Sequence, residues 1–162
     1  MSQGITKIAY ASDITLITLS SLPCDSRAVA AVLTALSDSG INVDMISQTA
    51  PQGGSIRLSF TISDAALADA LAVLAKLRQE NPAISPEILP GNCKLAFYDE
   101  NMVQTPGVAA KVFTLLSQAG IQVMLITTSE VDISILVSGH NLSDALTVMC
   151  ENHNVEPVET SF

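Results

Sequence analysis

The chain is predicted to be an α+β protein, built from two ferredoxin-like βαββαβ modules in tandem, each an antiparallel sheet with its helices on one face. Two observations support this prediction. Residues 39–48 (SGINVDMISQ) correspond to residues 119–128 (AGIQVMLITT), eighty positions later, so the chain contains an internal repeat. In each copy, helix-like and strand-like hydrophobic patterns also follow one another in the same order.

The first helix of each copy has the spacing of one buried helical face. Its apolar positions fall at i, i+3, i+4 and i+7, and each has an apolar counterpart in the second copy. The pairs are Val29 and Ala109, Val32 and Val112, Leu33 and Phe113, and Leu36 and Leu116. Both helices end at a glycine, Gly40 or Gly120, which tolerates the left-handed conformation after a helix. We expect Thr105 to cap the second-copy helix, with Pro106 at its first position, and Asp25 to cap the first-copy helix.

The later part of the repeat is offset by 75 positions, so the first copy has five more residues after Gln48. Residues 50–55 (APQGGS) read as a hairpin loop by composition. Residues 58–62 then match residues 133–137, and a second amphipathic helix follows in each copy. The triplet Asp69-Ala70-Leu71 of the first copy recurs as Asp144-Ala145-Leu146.

In chain order, residues 5–10 read as a short strand without a counterpart before the second copy, and they could be an extra edge strand for either module. The first copy then has strand 14–20, helix 26–39, strands 42–49 and 55–62, helix 64–79 and strand 84–89. The second copy has strand 93–98, helix 106–119, strands 122–129 and 132–137, helix 142–153 and strand 155–159. Residues 90–92 are predicted to link a first module of residues 1–90, with the extra N-terminal strand, to a second module of residues 91–162.

Composition narrows the function classes. Apolar residues make up 48% of the chain and charged residues 14%, which favours a buried oligomer interface over a solitary monomer. We expect the oligomer to be a homodimer. Seven basic and sixteen acidic residues give a net charge of −9, which argues against nucleic acid as a partner. No apolar run approaches the roughly 18 to 20 residues of a membrane span. Residues 1–4 do not resemble a leader, so we expect a cytoplasmic protein without a membrane partner.

No catalytic, cofactor or metal-binding motif is visible. Cys24, Cys93 and Cys150 lack metal-ligand spacing, and their odd number argues against a disulfide framework. His140 and His153 are expected to be incidental. The candidate ligand site is the loop before the first helix of a copy, together with the start of the next strand, because free helix N–H groups suit a carboxylate. The alternative is that Thr105 and Asp25 are caps and nothing more.

These motifs together resemble the tandem ACT domains of aspartate kinases. Residues 40–48 (GINVDMISQ) are similar to the family's G-I-N-V-D-M-I-x-Q, residues 105–113 (TPGVAAKVF) to its P-G-V-A-A-K-x-F, and residues 126–134 (ITTSEVDIS) to its I-S-T-S-E-x-x-I-S. The resemblance implies a non-catalytic module that binds an amino-acid effector of the lysine or threonine class at interfaces between ACT domains. It also implies regulation of a separate aspartate kinase catalytic subunit in amino-acid biosynthesis. Some family members have a small regulatory subunit of this kind.

The resemblance also carries over site residues. In the second copy, the matching positions are Thr105, Pro106, Gly107, Val108, Ala109, Gln122 and Val123. In the first copy, they are Asn42, Val43, Asp44 and Gln48, with Asp25 one position after the family's aspartate. There, Cys24 takes the place of that aspartate and Arg27 takes the place of a glycine that lets a ligand approach the backbone.

Arg27 is therefore expected to obstruct the first-copy site or to reposition its carboxylate. A second hypothesis follows, in which the chain is an ACT-like dimerisation or docking protein without effector binding. A third hypothesis, an enzyme in its own right, has no supporting motif.

Overall fold

The computed structural model describes residues 4–161. Met1, Ser2, Gln3 and Phe162 lie outside the described residues. The expectation that residues 1–4 are not a leader therefore falls mainly on residues that are not described. The chain divides into two compact units. We call residues 13–90 the first-copy unit, and residues 4–12 with residues 91–161 the second-copy unit.

The first-copy unit is a four-stranded sheet with two helices. Its elements are the later part of β1 (Lys7–Pro23), α1 (Ser26–Asp38), β2 (Ile46–Gln48), β3 (Ser55–Ser63), α2 (Leu67–Glu80) and the earlier part of β4 (Ser85–Tyr98). The strand order is β4–β1–β3–β2, and β3 is antiparallel to both of its neighbours. This is the order of a ferredoxin-like βαββαβ module, so the predicted fold is confirmed.

The core of this unit lies between the sheet and the two helices. Phe60 is fully buried at the centre of β3, and it packs with Val32 and Leu36 of α1 and with Val73 and Leu74 of α2. Side chains alternate between the two faces of a strand, so one face of β3 is committed to this core. The helix spacing read from the sequence therefore predicts the packing face correctly.

The second-copy unit repeats the arrangement with one strand added. Its elements are residues 7–12 of β1, residues 91–98 of β4, α3 (Val108–Gln118), β5 (Val123–Thr128), β6 (Asp132–Ser138), α4 (Leu142–His153) and β7 (Pro157–Glu159). The strand order is β7–β1–β4–β6–β5, with β7 parallel to β1. Gly120 has φ +69, and Gly40 in the other unit has φ +71, so both glycines adopt the left-handed conformation expected after their helices.

The N-terminal strand belongs to a different unit from the one assigned by sequence. The sequence places residues 5–10 in the first module as an edge strand, whereas the structure groups them with residues 91–161. Ile5 and Ile8 are buried in the same core as Phe97 and Leu116, and the Thr6 N–H donates to the Tyr98 carbonyl over 2.9 Å. Burial of these two isoleucines explains the placement, because residues 7–12 lie between β7 and β4 instead of at the edge of a sheet.

Two predicted boundaries fall inside long strands. The sequence predicts that the N-terminal strand ends at residue 10, but β1 continues through Ser12 and Asp13, with Asp13 in a left-handed conformation at φ +58. Residues 90–92 read as a link between modules, yet they lie within β4, where Gly91 has φ +74. In both cases the strand accommodates a single residue with positive φ. The local composition, which is typical of a turn, does not predict this.

The remaining differences concern the ends of elements. A 3-10 turn, Asp64–Ala66, precedes α2, with the Ser63 hydroxyl accepting from the Ala65 N–H, so α2 begins three residues later than expected. β2 covers Ile46–Gln48 and is shorter than the predicted strand of residues 42–49. No helix within residues 4–161 is long and apolar enough to cross a membrane.

Candidate functional site

The helix start of the first copy is capped as predicted. Asp25 is the N-cap of α1, and its Oδ1 accepts a hydrogen bond from the Arg27 N–H over 2.9 Å. Its second oxygen, Oδ2, lies 4.0 Å from Nε of Arg27. The side chains of Arg27 and Asp25 are 93% and 56% exposed, so water screens this ion pair and it contributes little to stability. Even so, the Arg27 guanidinium lies beside the Asp25 carboxylate at the start of α1.

The other first-copy candidates lie along the sheet edge. β2 is the last strand of its sheet, and the segment before it is also held to β3. The Asp44 N–H donates to the Thr61 carbonyl over 3.1 Å, and the Met45 N–H donates to Thr61 Oγ1 over 2.9 Å. Asn42 and Asp44 are exposed, whereas Val43 packs against the core.

These first-copy candidates do not all converge. The Cys24 N–H donates to the Gly54 carbonyl over 3.1 Å, which ties the start of α1 to the hairpin end of the sheet. Gln48, opposite Leu58 of β3, lies near that end. Asp44 lies four residues earlier along the edge, a distance of about 13 Å in extended chain. The structure therefore brings Asp25 and Gln48 to one end of the unit and leaves residues 42–44 towards the other.

The helix start of the second copy differs from the prediction. Thr105 is not the N-cap of α3. Instead it ends a 3-10 helix, Glu100–Gln104, and its hydroxyl donates to the Asn101 carbonyl over 2.8 Å. α3 begins at Val108, and Gly107 is its N-cap, with φ +94. The capping prediction for Thr105 is wrong because the chain preceding the helix makes an additional short turn. Pro106 consequently lies before the helix instead of in its first turn.

Gly107 leaves the start of α3 open. A Cβ at this position would have no atom within 4 Å, and both Pro106 and Ala109 are exposed. The backbone at the helix N-terminus is therefore accessible, and its N–H groups and the helix dipole favour an anionic group. In the first copy, the equivalent position carries Arg27.

Gln122 and Val123 lie at the opposite end of α3. They line a cavity of about 460 Å³ between the end of α3 and the start of β5, together with Phe113 and Leu116. α3 has 11 residues, so this cavity is about 16 Å from the helix start. Residues 105–109 and residues 122–123 therefore do not meet within one unit.

Phe113 is a lining residue of this cavity that the sequence reasoning assigned to the core alone. Phe113, Leu116, Ser117 and Gly120 follow the i, i+3, i+4, i+7 pattern, and the same face that packs inward also borders the cavity. The periodicity that identifies a core face could have indicated this, since the cavity lies where that face reaches the start of β5.

Two of the histidine and cysteine side chains, His153 and Cys150, have shifted pKa values. No group of three or more His, Cys, Asp and Glu side chains within residues 4–161 is placed to hold a metal ion. His153 is buried at the end of α4, and its Nε2 has no hydrogen-bond partner among the described residues. Burial, and secondarily the charge of Lys111, lower the pKa of His153. Burial, and secondarily the nearby Glu156, raise the pKa of the Cys150 thiol, which lowers the fraction of reactive thiolate at a given pH.

Comparison with known proteins identifies both copies. The ACT domain family matches residues 26–77 and 97–152. An aspartokinase of Bacillus sp. (strain MGA3) is 32% identical over 139 residues, which are 86% of this chain and 34% of the aspartokinase. The chain thus spans about a third of the length of the curated relatives it matches.

Solved structures agree with this family. The regulatory subunit of aspartate kinase from Thermus thermophilus superposes with a TM-score of 0.84 at 28% identity, over 92% of this chain and 98% of that one. A chain from a structure of aspartokinase alpha and beta subunits gives a TM-score of 0.81 at 29% identity, over 93% and 99% of the two chains. The chain therefore belongs to the ACT domain family, as a tandem ACT pair that matches the regulatory region of aspartate kinases.

Proposed function

We propose that the chain is a non-catalytic regulatory module that binds a small amino-acid effector of the lysine or threonine class at ACT–ACT interfaces. By binding it, the module regulates an aspartate kinase catalytic partner in amino-acid biosynthesis. The single observation that carries this proposal is that each unit presents the two halves of the expected ligand site at separate ends. A complete site then requires a second ACT domain, so effector binding and assembly are coupled.

The geometry of the second copy supports the effector half of the proposal. Gly107 leaves the N-terminus of α3 open to an anionic group, which suits the carboxylate of an amino acid. Gln122 is exposed at the start of β5, the edge strand of its sheet, and its amide can both donate and accept hydrogen bonds. A helix start from one ACT domain and an edge strand from another would together hold both ends of a free amino acid.

The edge strands support assembly into a homodimer. Ile46 on β2 and Ile126 on β5 are both more than two fifths exposed, which is uncommon for isoleucine. An edge strand also carries backbone groups that can pair with a strand of another chain. We propose that a second copy of the chain covers these edges and that the effector binds where they meet.

Thermal stability in the presence of amino acids tests effector binding. A ligand that binds only the folded state at a hundredfold excess over its Kd adds about 2.7 kcal/mol to the free energy of unfolding. We expect lysine or threonine, in a panel with methionine and other amino acids, to raise the melting temperature. Gln122→Ala should abolish the shift, whereas Gln118→Ala, an exposed glutamine at the end of α3, should keep it. No shift with any amino acid at millimolar concentration would contradict effector binding.

The regulatory half requires a kinase partner. The matched structure of aspartokinase alpha and beta subunits motivates the test, because the match covers 99% of the chain aligned in that structure. We expect the chain to co-purify with an aspartate kinase catalytic chain, and the effector to change the rate of aspartate phosphorylation by the mixture. An unchanged rate at saturating effector would contradict regulation even if the two proteins bind each other.

A docking protein without effector binding is the second candidate. The position of Arg27 in the first copy favours this function. The Arg27 guanidinium lies beside the Asp25 carboxylate, where an effector would approach the start of α1. Co-purification with the kinase chain, combined with no response to any amino acid, would select this function over the first.

A further inference from the structure

The first-copy unit contains a cavity of about 470 Å³ that is lined by none of the residues of the proposed effector site. It lies between the end of β1 and the β2–β3 hairpin. The polar side chains that line it are Ser20, Ser21, Thr49, Gln52, Ser55 and Arg57. We propose that this cavity is a binding site for a phosphate group.

One wall of the cavity is a β-bulge that is specific to the first copy. The pairing of β1 with β3 shifts register between Leu19 and Leu22, so Ser20 and Ser21 together oppose Arg57. Ser21 has φ +60, a conformation that residues other than glycine rarely adopt. The corresponding pair in the second-copy unit, β4 with β6, keeps one register over its whole length. Bulges and strained residues are frequent beside binding sites, where they redirect side chains.

The other wall is the hairpin, which is also longer in the first copy. Gln52 and Ser55 close its turn through reciprocal hydrogen bonds of 2.9 and 3.1 Å, and the Thr49 N–H donates to the Arg57 carbonyl over 3.0 Å. The second copy makes the same connection with a tight turn, in which the Ser129 N–H donates to the Asp132 carbonyl over 2.9 Å. The bulge and the longer hairpin, both absent from the second copy, therefore face the same cavity.

The hydroxyl of Ser20 is a buried polar group on the lining of this cavity. Its Oγ is buried and has no hydrogen-bond partner among the described residues. Leaving a buried hydroxyl without a partner is costly, so such groups usually meet an ion, a water molecule or a ligand.

The lining offers hydrogen-bond donors and no carboxylate, although the chain carries a net charge of −9. Thr49 Oγ1 accepts from the Arg57 N–H over 3.0 Å, which leaves the hydroxyl hydrogen of Thr49 free to donate. The hydroxyls of Ser20 and Ser21, the amide of Gln52 and the guanidinium of Arg57 add further donors. A phosphate group has at least three acceptor oxygens for these donors, and a guanidinium binds it in a bidentate manner, whereas a carboxylate has two oxygens.

Isothermal titration calorimetry of the whole chain tests this site. The probes are inorganic phosphate, glycerol 3-phosphate and, as the carboxylate comparison, acetate. We expect saturable binding of one or both phosphate probes, and the tighter of the two identifies free phosphate or a phosphate monoester as the source. Arg57→Gln should weaken binding at least tenfold, about 1.4 kcal/mol. Arg78→Gln, which removes the same charge from the exposed end of α2, should leave the Kd unchanged.

A second variant separates ligand contact from charge alone. Ser20→Ala keeps the charge of the unit and should weaken phosphate binding several-fold, with an unchanged far-UV circular dichroism spectrum. Acetate binding as tightly as phosphate would overturn the proposal, and so would equal losses for Arg57→Gln and Arg78→Gln. Absence of saturable phosphate binding at millimolar concentration would overturn it as well.

Discussion

Replacing Gly139 with alanine should destabilise the second-copy unit. Gly139 begins the 3-10 turn between β6 and α4, and a Cβ added to it would lie 2.6 Å from the carbonyl oxygen of Gly91. The obstacle is backbone inside β4, which cannot move aside as a flexible side chain could. The equivalent position in the first copy is Asp64, whose carboxylate accepts from Thr15 Oγ1 over 2.5 Å. That copy therefore has space for a side chain here, and the second copy does not.

The size of the effect follows from this contact. Ordinary van der Waals contacts of a Cβ begin at about 3.4 Å, so either backbone segment must shift by roughly 0.8 Å. Overpacking of this kind costs about 1 to 3 kcal/mol. Alanine also restricts the unfolded chain, which offsets about 0.4 to 1 kcal/mol. The expected net loss in the free energy of unfolding is therefore about 1 to 2 kcal/mol.

Tyrosine fluorescence can assign this loss to one unit. The chain has two tyrosines and no tryptophan, and both Tyr10 and Tyr98 lie in the second-copy unit. Equilibrium urea denaturation followed by this signal should show the lower midpoint for Gly139→Ala, with His140→Ala, an exposed residue of the same turn, as the control. A loss below about 0.5 kcal/mol, or one no larger than the control's, would refute the steric argument.

Three further predictions concern single side chains. Burial and Lys111 lower the pKa of His153 in the folded unit, so the contribution of His153 to stability is fully present above pH 6.5 and is lost as the pH falls towards the folded pKa. Urea midpoints should fall over that range, and His153→Gln should make them depend less on pH. Arg27→Gly should create or strengthen effector binding in the first copy, and equal affinities by calorimetry before and after the change would contradict obstruction by Arg27. Cys24 is exposed and Cys93 is buried, so a thiol reagent should modify Cys24 in the native chain and reach Cys93 only after unfolding; equal rates would contradict the burial of Cys93.

The repeat explains why much of the fold could be predicted. Helix faces such as Val112 and Leu116 are set by local periodicity, and a second copy with the same spacing makes each interpretation more secure. The ends of the strands were harder to predict from the sequence, because Asp13 and Gly91 resemble strand-breaking residues but lie within long strands. Whether a residue with positive φ ends a strand depends on pairing with distant residues, which local sequence does not contain.

For the candidate site, the sequence could predict the chemistry of the residues but not their arrangement in space. Asp25 as a helix cap follows from its side chain and position, and the structure confirms that role. Thr105 has equally good capping chemistry, but the preceding 3-10 helix uses its hydroxyl and leaves Gly107 as the cap. Separation of the helix start from Gln122 depends on the length and direction of α3, so motif matching gives the residues of the site without their arrangement.

The added strand of the second-copy unit also affects how the chain folds while it is being synthesised. Residues 13–90 can complete their sheet soon after they emerge, since every strand of that unit is then available. Residues 4–12 are made before residues 13–90 but belong between β4 and β7, so their apolar side chains gain the partners that bury them only after β7 has been made. This segment therefore precedes the first-copy unit along the chain and is buried after it, and during that interval Ile5 and Ile8 are the residues that chaperones would need to protect.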